Sequence, residues 1–271
     1  MLGKLLKYEM KAGLRLLPIV YLGMVSVFLV GLLAKAIGIS QIQFAAALLL
    51  AVGGVAAVLM TLVLVILRCF KGLFCTEGYL TQTLPVGKGT LLLSKVIAAY
   101  VWMLVSVLGA AAAFVGCLWI GGADLRPIWE MVFGSGTRGW GALLFYVAAV
   151  GAAQLLTFLG ELYFAVTLAN TRPFLRNNTV FSVLFFFITN FIVSLLELAG
   201  MLLIPLGIHI GESGAEWVFR GMLDMFGASH SGNSLTGLAT IGLGSVFVDA
   251  AAGAALLLIA RWLLAHKTSV K

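Results

Sequence analysis

Six long apolar stretches, at about residues 16–38, 44–67, 91–120, 141–169, 180–207 and 238–264, dominate the chain. Each exceeds the roughly 18 residues that a helix needs to cross the hydrocarbon core of a bilayer. The 271-residue chain is 62% hydrophobic and only 10% charged, too little charge to clothe a water-soluble core of this size. The runs are too long, and too rich in Ala, Leu and Phe, for the short alternating strands of an outer-membrane barrel. Helices are the other structure that satisfies its own backbone in lipid. The expected fold is therefore all-α and polytopic: a single transmembrane domain over residues 1–271, with six transmembrane helices.

Lys and Arg orient it. With a cytoplasmic N-terminus, 13 of the 17 basic residues fall on the inner face: Lys4, Lys7, Lys11, Arg15, Arg68, Lys71, Lys88, Lys95, Arg172, Arg176, Arg261, Lys267 and Lys271. Lys35, Arg126, Arg138 and Arg220 fall outside. Positive charge gathers on the cytoplasmic side, so both termini are expected in the cytoplasm. The net charge of +7 then reflects topology and attraction to anionic lipid headgroups, and no nucleic-acid partner is called for. Residues 16–38 lack the short core and small-residue cleavage site of a signal peptide, so the first span is expected to stay.

The opening MLGKLLKYEMKAGLR has its own geometry. At 100° per residue Lys4, Lys7, Lys11 and Arg15 share one face, while Leu2, Leu5, Leu6, Met10 and Leu16 gather opposite. An interfacial helix over residues 1–15, lying along the inner leaflet, fits this pattern; a frayed basic start that merely orients the first span is the alternative. Glu9 projects from the apolar side and calls for a basic partner, with Arg68 and Arg172 as candidates.

Catalytic signatures fail one by one. GSGTRG at 134–139 has the Gly-rich dinucleotide pattern, but no strand precedes it. PVGKGT at 85–90 lacks the first glycine of a phosphate-binding loop, since Gln82 stands there. No metalloprotease or serine-hydrolase motif occurs, and His209, His230 and His266 are scattered. Cys69, Cys75 and Cys117 are expected to be free thiols, and a metal site has too few ligands. The sequon at Asn177 falls in a cytoplasmic loop, out of reach of glycosylation.

What remains is polarity inside the spans. Gln154, Thr157 and Glu161 form one stripe, Asn190, Ser194 and Glu197 another, and Asp249 lies within the sixth span beside the small-residue run 250–255. Such groups either line a translocation path or act as interhelical hydrogen bonds. Glu161 lies near the inner end of its span and Glu197 toward the outer end of its own, so the two are not expected to form one acid/base pair. A two-carboxylate hydrolase is correspondingly disfavoured.

Between the second and third spans stands the polar string FKGLFCTEGYLTQTLPVGKG, residues 70–89. Its Glu77-Gly78-Tyr79-Leu80-Thr81, the following Thr83-Leu84-Pro85-Val86 and the later Leu-Leu-Leu-Ser-Lys at 91–95 resemble the corresponding loop of permease subunits of bacterial ABC transporters of the ABC-two (type V exporter) class. The resemblance extends to the interfacial helix, the six spans and the long connection after the fifth. It implies a multi-pass protein of the bacterial cytoplasmic membrane that exports an amphipathic or hydrophobic substrate, such as an antimicrobial peptide or drug. It also implies no cofactor in this chain, with ATP and Mg held by a separate ABC ATPase subunit, and a second permease copy making a homo- or heterodimer within membrane lipid. Residues 68–90 would be the coupling element, with Phe74, Glu77, Tyr79, Leu80 and Thr81 meeting the ATPase and Pro85 stopping the helix. A smaller contact would involve Arg172, Phe174 and Arg176. A non-transporting binding, sensory or immunity subunit is the rival reading.

In the outer connection, residues 208–237, Ser213 to Glu216 has a capping-box pattern, and Trp217, Val218, Met222 and Phe226 follow at helical spacing. A surface helix ending at Gly227 is expected there. The topology itself is open to test: reporter fusions after residues 87 and 174 should read as cytoplasmic and those after 130 and 225 as external, and an external signal at 87 would invert the assignment.

Overall fold

The structure, a computed structural model, describes residues 2–14, 17–74, 87–124, 126, 140–211, 214–219 and 240–266. Among these, it describes the backbone alone at 12, 71–74, 140–143, 172, 175–176, 208–211, 214–218 and 240–241. Its helices are α1 (Leu2–Gly13), α2 (Leu17–Ile37), α3 (Ser40–Phe74), α4 (Lys88–Ile120), α5 (Trp140–Ala169), α6 (Asn178–Leu203) and α7 (Gly244–His266). A 3-10 turn, Arg172–Asn177, joins α5 to α6. All six expected spans are helices long and apolar enough to cross a membrane, within α2 to α7. The chain is an all-α polytopic membrane protein with a short amphipathic helix before the first span.

The helices pack as two compact units, α1–α4 and α5–α7. In the first, α2 and α3 form a hairpin. Gly38, at φ 84°, closes α2 with the left-handed turn that a side chain resists, and the Ile39 amide reaches back to the Ala34 carbonyl at 3.0 Å. The far end of α4 is closed likewise by Gly122, at φ 88°. Two of that helix's last carbonyls also find side-chain donors: Lys35 Nζ donates to Trp119 and Gln43 Nε2 to Ile120. The Lys35 ammonium also lies 5.1 Å from the centre of the Trp119 ring. Ala47, Leu50, Ala113 and Ile120 form the centre of the packing, with Met24, Phe28 and Leu32 against them.

Helices α3 and α4, of 35 and 33 residues, are each about 50 Å long at 1.5 Å per residue and outreach a hydrocarbon core of about 30 Å. Helix therefore occupies both ends of the expected 68–90 element, through Phe74 and again from Lys88.

In the second unit, α5 and α7 meet where neither has a side chain to hold them apart. A Cβ on Gly160 would sit 2.9 Å from the Gly253 carbonyl oxygen, and one on Gly253 would sit 3.0 Å from Thr157 Cα. α6 approaches α7 at Gly200, where a Cβ would stand 3.2 Å from the Gly244 carbonyl oxygen.

Between α6 and α7 the expected helix is corrected. Residues 207–211 and 214–218 are antiparallel strands, β1 (Gly207–Gly211) and β2 (Gly214–Val218), with β3 (Thr240–Gly242) completing a sheet of order β2-β1-β3. Ile208 and Ile210 alternate within β1, and two residues separate the paired Gly211 and Gly214, a tight-hairpin spacing that the capping-box reading overlooked. The rest of the expected helix, 220–227, lies outside the described residues.

Gly253→Val should force α5 and α7 apart and destabilise the protein by about 1–3 kcal/mol. Ala254→Val, on the exposed side of α7, should stay within about 0.5 kcal/mol. Unfolding midpoints in detergent compare the two, and equal midpoints would refute the close approach.

Candidate functional site

Glu9 ties α1 to both α3 and α4 in the first unit. Its carboxylate accepts a hydrogen bond from Lys95 Nζ at 2.6 Å, and its backbone carbonyl accepts one from Arg68 Nη1 at 3.1 Å. The expected partner for the carboxylate was Arg68 or Arg172; the structure gives that role to Lys95 and leaves Arg68 to hold the backbone. Lys95 is 8% exposed and Glu9 24%, so the pair is largely withdrawn from water. Lys95 lies on the buried face of α4 in phase with Leu91, Leu92, Ala99 and Trp102, which is the signal that could have found it. At its other end α1 sits so close to α4 that a Cβ on Gly13 would overlap the Trp102 indole. The remaining helix residues behave as expected: Lys4, Lys7 and Lys11 are exposed, and Arg15 is outside the described residues.

This junction stands where α3 and α4 enter and leave the loop. Glu77, Tyr79, Leu80 and Thr81 lie outside the described residues, and of Phe74 only the helical backbone is described. In the second loop, Phe174 turns inward onto α6, 4.9 Å from the Phe181 ring and 5.1 Å from that of Phe185. Arg172 and Arg176 are placed on the 3-10 turn by their backbone. Buried Asn170 fastens that turn, donating to the Val166 carbonyl at 2.8 Å and accepting from Asn178 Nδ2 at 3.1 Å.

A neutral polar centre, missed in the sequence, lies inside the first unit. Ser106 Oγ is 2.6 Å from the Tyr21 hydroxyl and 2.5 Å from Thr61 Oγ1, and Thr61 also donates to the Ala57 carbonyl. Above it an apolar cavity of about 430 Å³ opens between α2, α3 and α4, lined by Tyr21, Met24, Phe28, Leu50, Val105 and Gly109.

The second unit gathers charge instead. Thr157 Oγ1 donates to the Asp249 carbonyl at 2.7 Å, a contact made possible by the glycine crossing just described. Glu161, 2% exposed, accepts from Asn190 Nδ2 at 3.1 Å. Asp249 is fully buried, and its carboxyl is within side-chain hydrogen-bond reach of Glu197, a contact that one shared proton completes. Glu161 and Glu197 both act electrostatically on Asp249, and on each other. Gln154, Asn190 and Ser194 are exposed on the chain, and Glu197 is half-buried.

Lys95→Met should strand the Glu9 carboxylate and lower stability by about 3–5 kcal/mol. Exchanging the charges, Glu9→Lys with Lys95→Glu, should recover most of the loss. Chemical denaturation in detergent measures both, and a parent-like Lys95→Met would show that the pair does not hold α1.

Comparison with known protein families, with curated proteins and with solved structures finds no match to this chain.

Proposed function

We propose that the chain is the permease subunit of an ATP-driven bacterial exporter of the ABC-two class, inserted with both termini in the cytoplasm and worked by a separate ATPase. The observation that carries this reading is the Glu9 junction, at which one interfacial helix is tied by Lys95 to α4 and by Arg68 to α3. Those two helices flank residues 75–86, where the permease-like motif lies. A push on that loop would reach the spans and the interfacial helix together, which is what coupling to an ATPase requires. The same reading accounts for Gln154, Asn190 and Ser194, amides and a hydroxyl exposed on membrane-spanning helices. In lipid these groups need a second protein surface or a water-filled path, and a paired permease supplies both. The cargo that fits is amphipathic or hydrophobic, matched by the apolar cavity of the first unit.

Glu77→Lys tests the coupling role. A reversed charge at a docking surface costs several kcal/mol when the facing cation is desolvated. At about 1.4 kcal/mol per factor of ten, ATPase association should fall at least tenfold while membrane levels of the permease stay normal. Unchanged pull-down of the ATPase and unchanged ATP hydrolysis would remove the coupling role and favour a non-transporting binding or immunity subunit.

A further inference from the structure

The cavity of the first unit is a groove laid along the helix axes. Tyr21, Met24, Val25 and Phe28 line it from one face of α2, and Val105, Gly109, Ala112 and Ala113 from one face of α4. These faces flank the groove for about 10–12 Å at 1.5 Å per residue. The glycine and two alanines of α4 stand where larger side chains would fill the space, and Leu50 of α3, 2% exposed, closes the back. Val25 is 53% exposed, Val105 is 41% exposed and Ala112 is exposed with them. The mouth therefore opens sideways from membrane-spanning helices, toward the bilayer.

Among the described lining residues Tyr21 alone has a polar side chain. Its hydroxyl is one end of a row of three, and the direction of that row is fixed from the far end. Thr61 donates its single hydroxyl proton to the Ala57 carbonyl at 2.8 Å. The 2.5 Å contact between Thr61 and Ser106 then needs the Ser106 proton, and the 2.6 Å contact between Ser106 and Tyr21 needs the Tyr21 proton. All three protons are committed toward Ala57, and Tyr21 has only oxygen lone pairs left to offer. The polar end of this groove is an acceptor without a donor.

We propose that this groove takes a single-chain amphiphile from the bilayer, that the amphiphile's uncharged head donates a hydrogen bond from a hydroxyl or amide N–H to the Tyr21 oxygen, and that this molecule is the permease's cargo. That it is cargo rests on the exporter reading; the site itself does not. The head is uncharged because no Asp, Glu, Lys, Arg or His is among the described lining residues, and a charge brought there would go unbalanced. The volume of about 430 Å³ lies toward the small end of ligand pockets and suits one chain. Lying against Met24 and Phe28, that chain runs along the spans, parallel to the lipid tails, and so moves in through the side mouth without turning.

The test uses the full chain in phosphatidylcholine vesicles, whose headgroup has no hydrogen-bond donor, and reads the saturable rise of the unfolding midpoint with decanol or with methyl decyl ether. The ether keeps the chain and the oxygen and lacks the proton. Decanol should bind the parent about tenfold more tightly than the ether, the worth of one neutral hydrogen bond. Tyr21→Phe should bring decanol down to the level of the ether, and Ala112→Leu, filling the mouth, should weaken both at least tenfold. Equal binding of the two probes to the parent, selectivity that survives Tyr21→Phe, or binding untouched by Ala112→Leu would each overturn the site. If Tyr21→Phe fails to fold, the parent comparison and Ala112→Leu decide. Selective binding by a chain that recruits no ATPase would keep the site, make its occupant a resident membrane lipid and remove the exporter; an ATPase-coupled chain without selectivity would sink the site and leave the exporter.

Discussion

A bilayer interior offers no water to a stray hydrogen-bond donor, and most of this architecture answers that constraint. The backbone is consumed in long helices. Hydroxyls inside bend back to a carbonyl four residues earlier at Thr61, Thr157, Thr167 and Ser182. Because lipid tails are as apolar as leucine, helices gain little by hiding greasy side chains from them, and close approach through glycine takes over as the adhesive. The Gly160–Gly253 crossing is the clearest instance, and it also fixes the height at which Asp249 meets Thr157.

The same constraint gives the two units different interiors. Tyr21, Ser106 and Thr61 satisfy one another as neutral groups. The second unit instead withdraws carboxyl groups, Asp249 in hydrogen-bond reach of Glu197 and Glu161 held by the Asn190 amide. At the junction of α1 with α4, a carboxylate and an ammonium are paired in one contact, so the chain is able to balance a withdrawn charge where its structure calls for it.

What the sequence disclosed was whatever depends on a single helix. Spans follow from run length, α1 from its period, and the inward placement of Glu9 from its position among leucines. What it concealed depends on how helices meet. Lys95 looked like one more inner-face lysine because its partner is 86 residues away, although its phase with Trp102 marked it as buried. The strands at 207–211 and 214–218 were hidden for a different reason: a capping box and helical spacing are short local patterns, and pairing with residues as distant as 240–242 overrode them. For residues 75–86 the motif remains the guide, and the structure supplies the two helix ends from which they hang.

The turn at Gly38 and Ile39 also bears on how the protein is made. Only two residues separate α2 from α3, so neither helix can enter a bilayer far ahead of the other. The pair is built to go in as one hairpin, with Lys35 and Gln43 as polar side chains near its tip. Those are the two side chains that later seal the end of α4. The polar groups that burden insertion of the hairpin are thus the ones that fasten it to the end of the next helix in the chain.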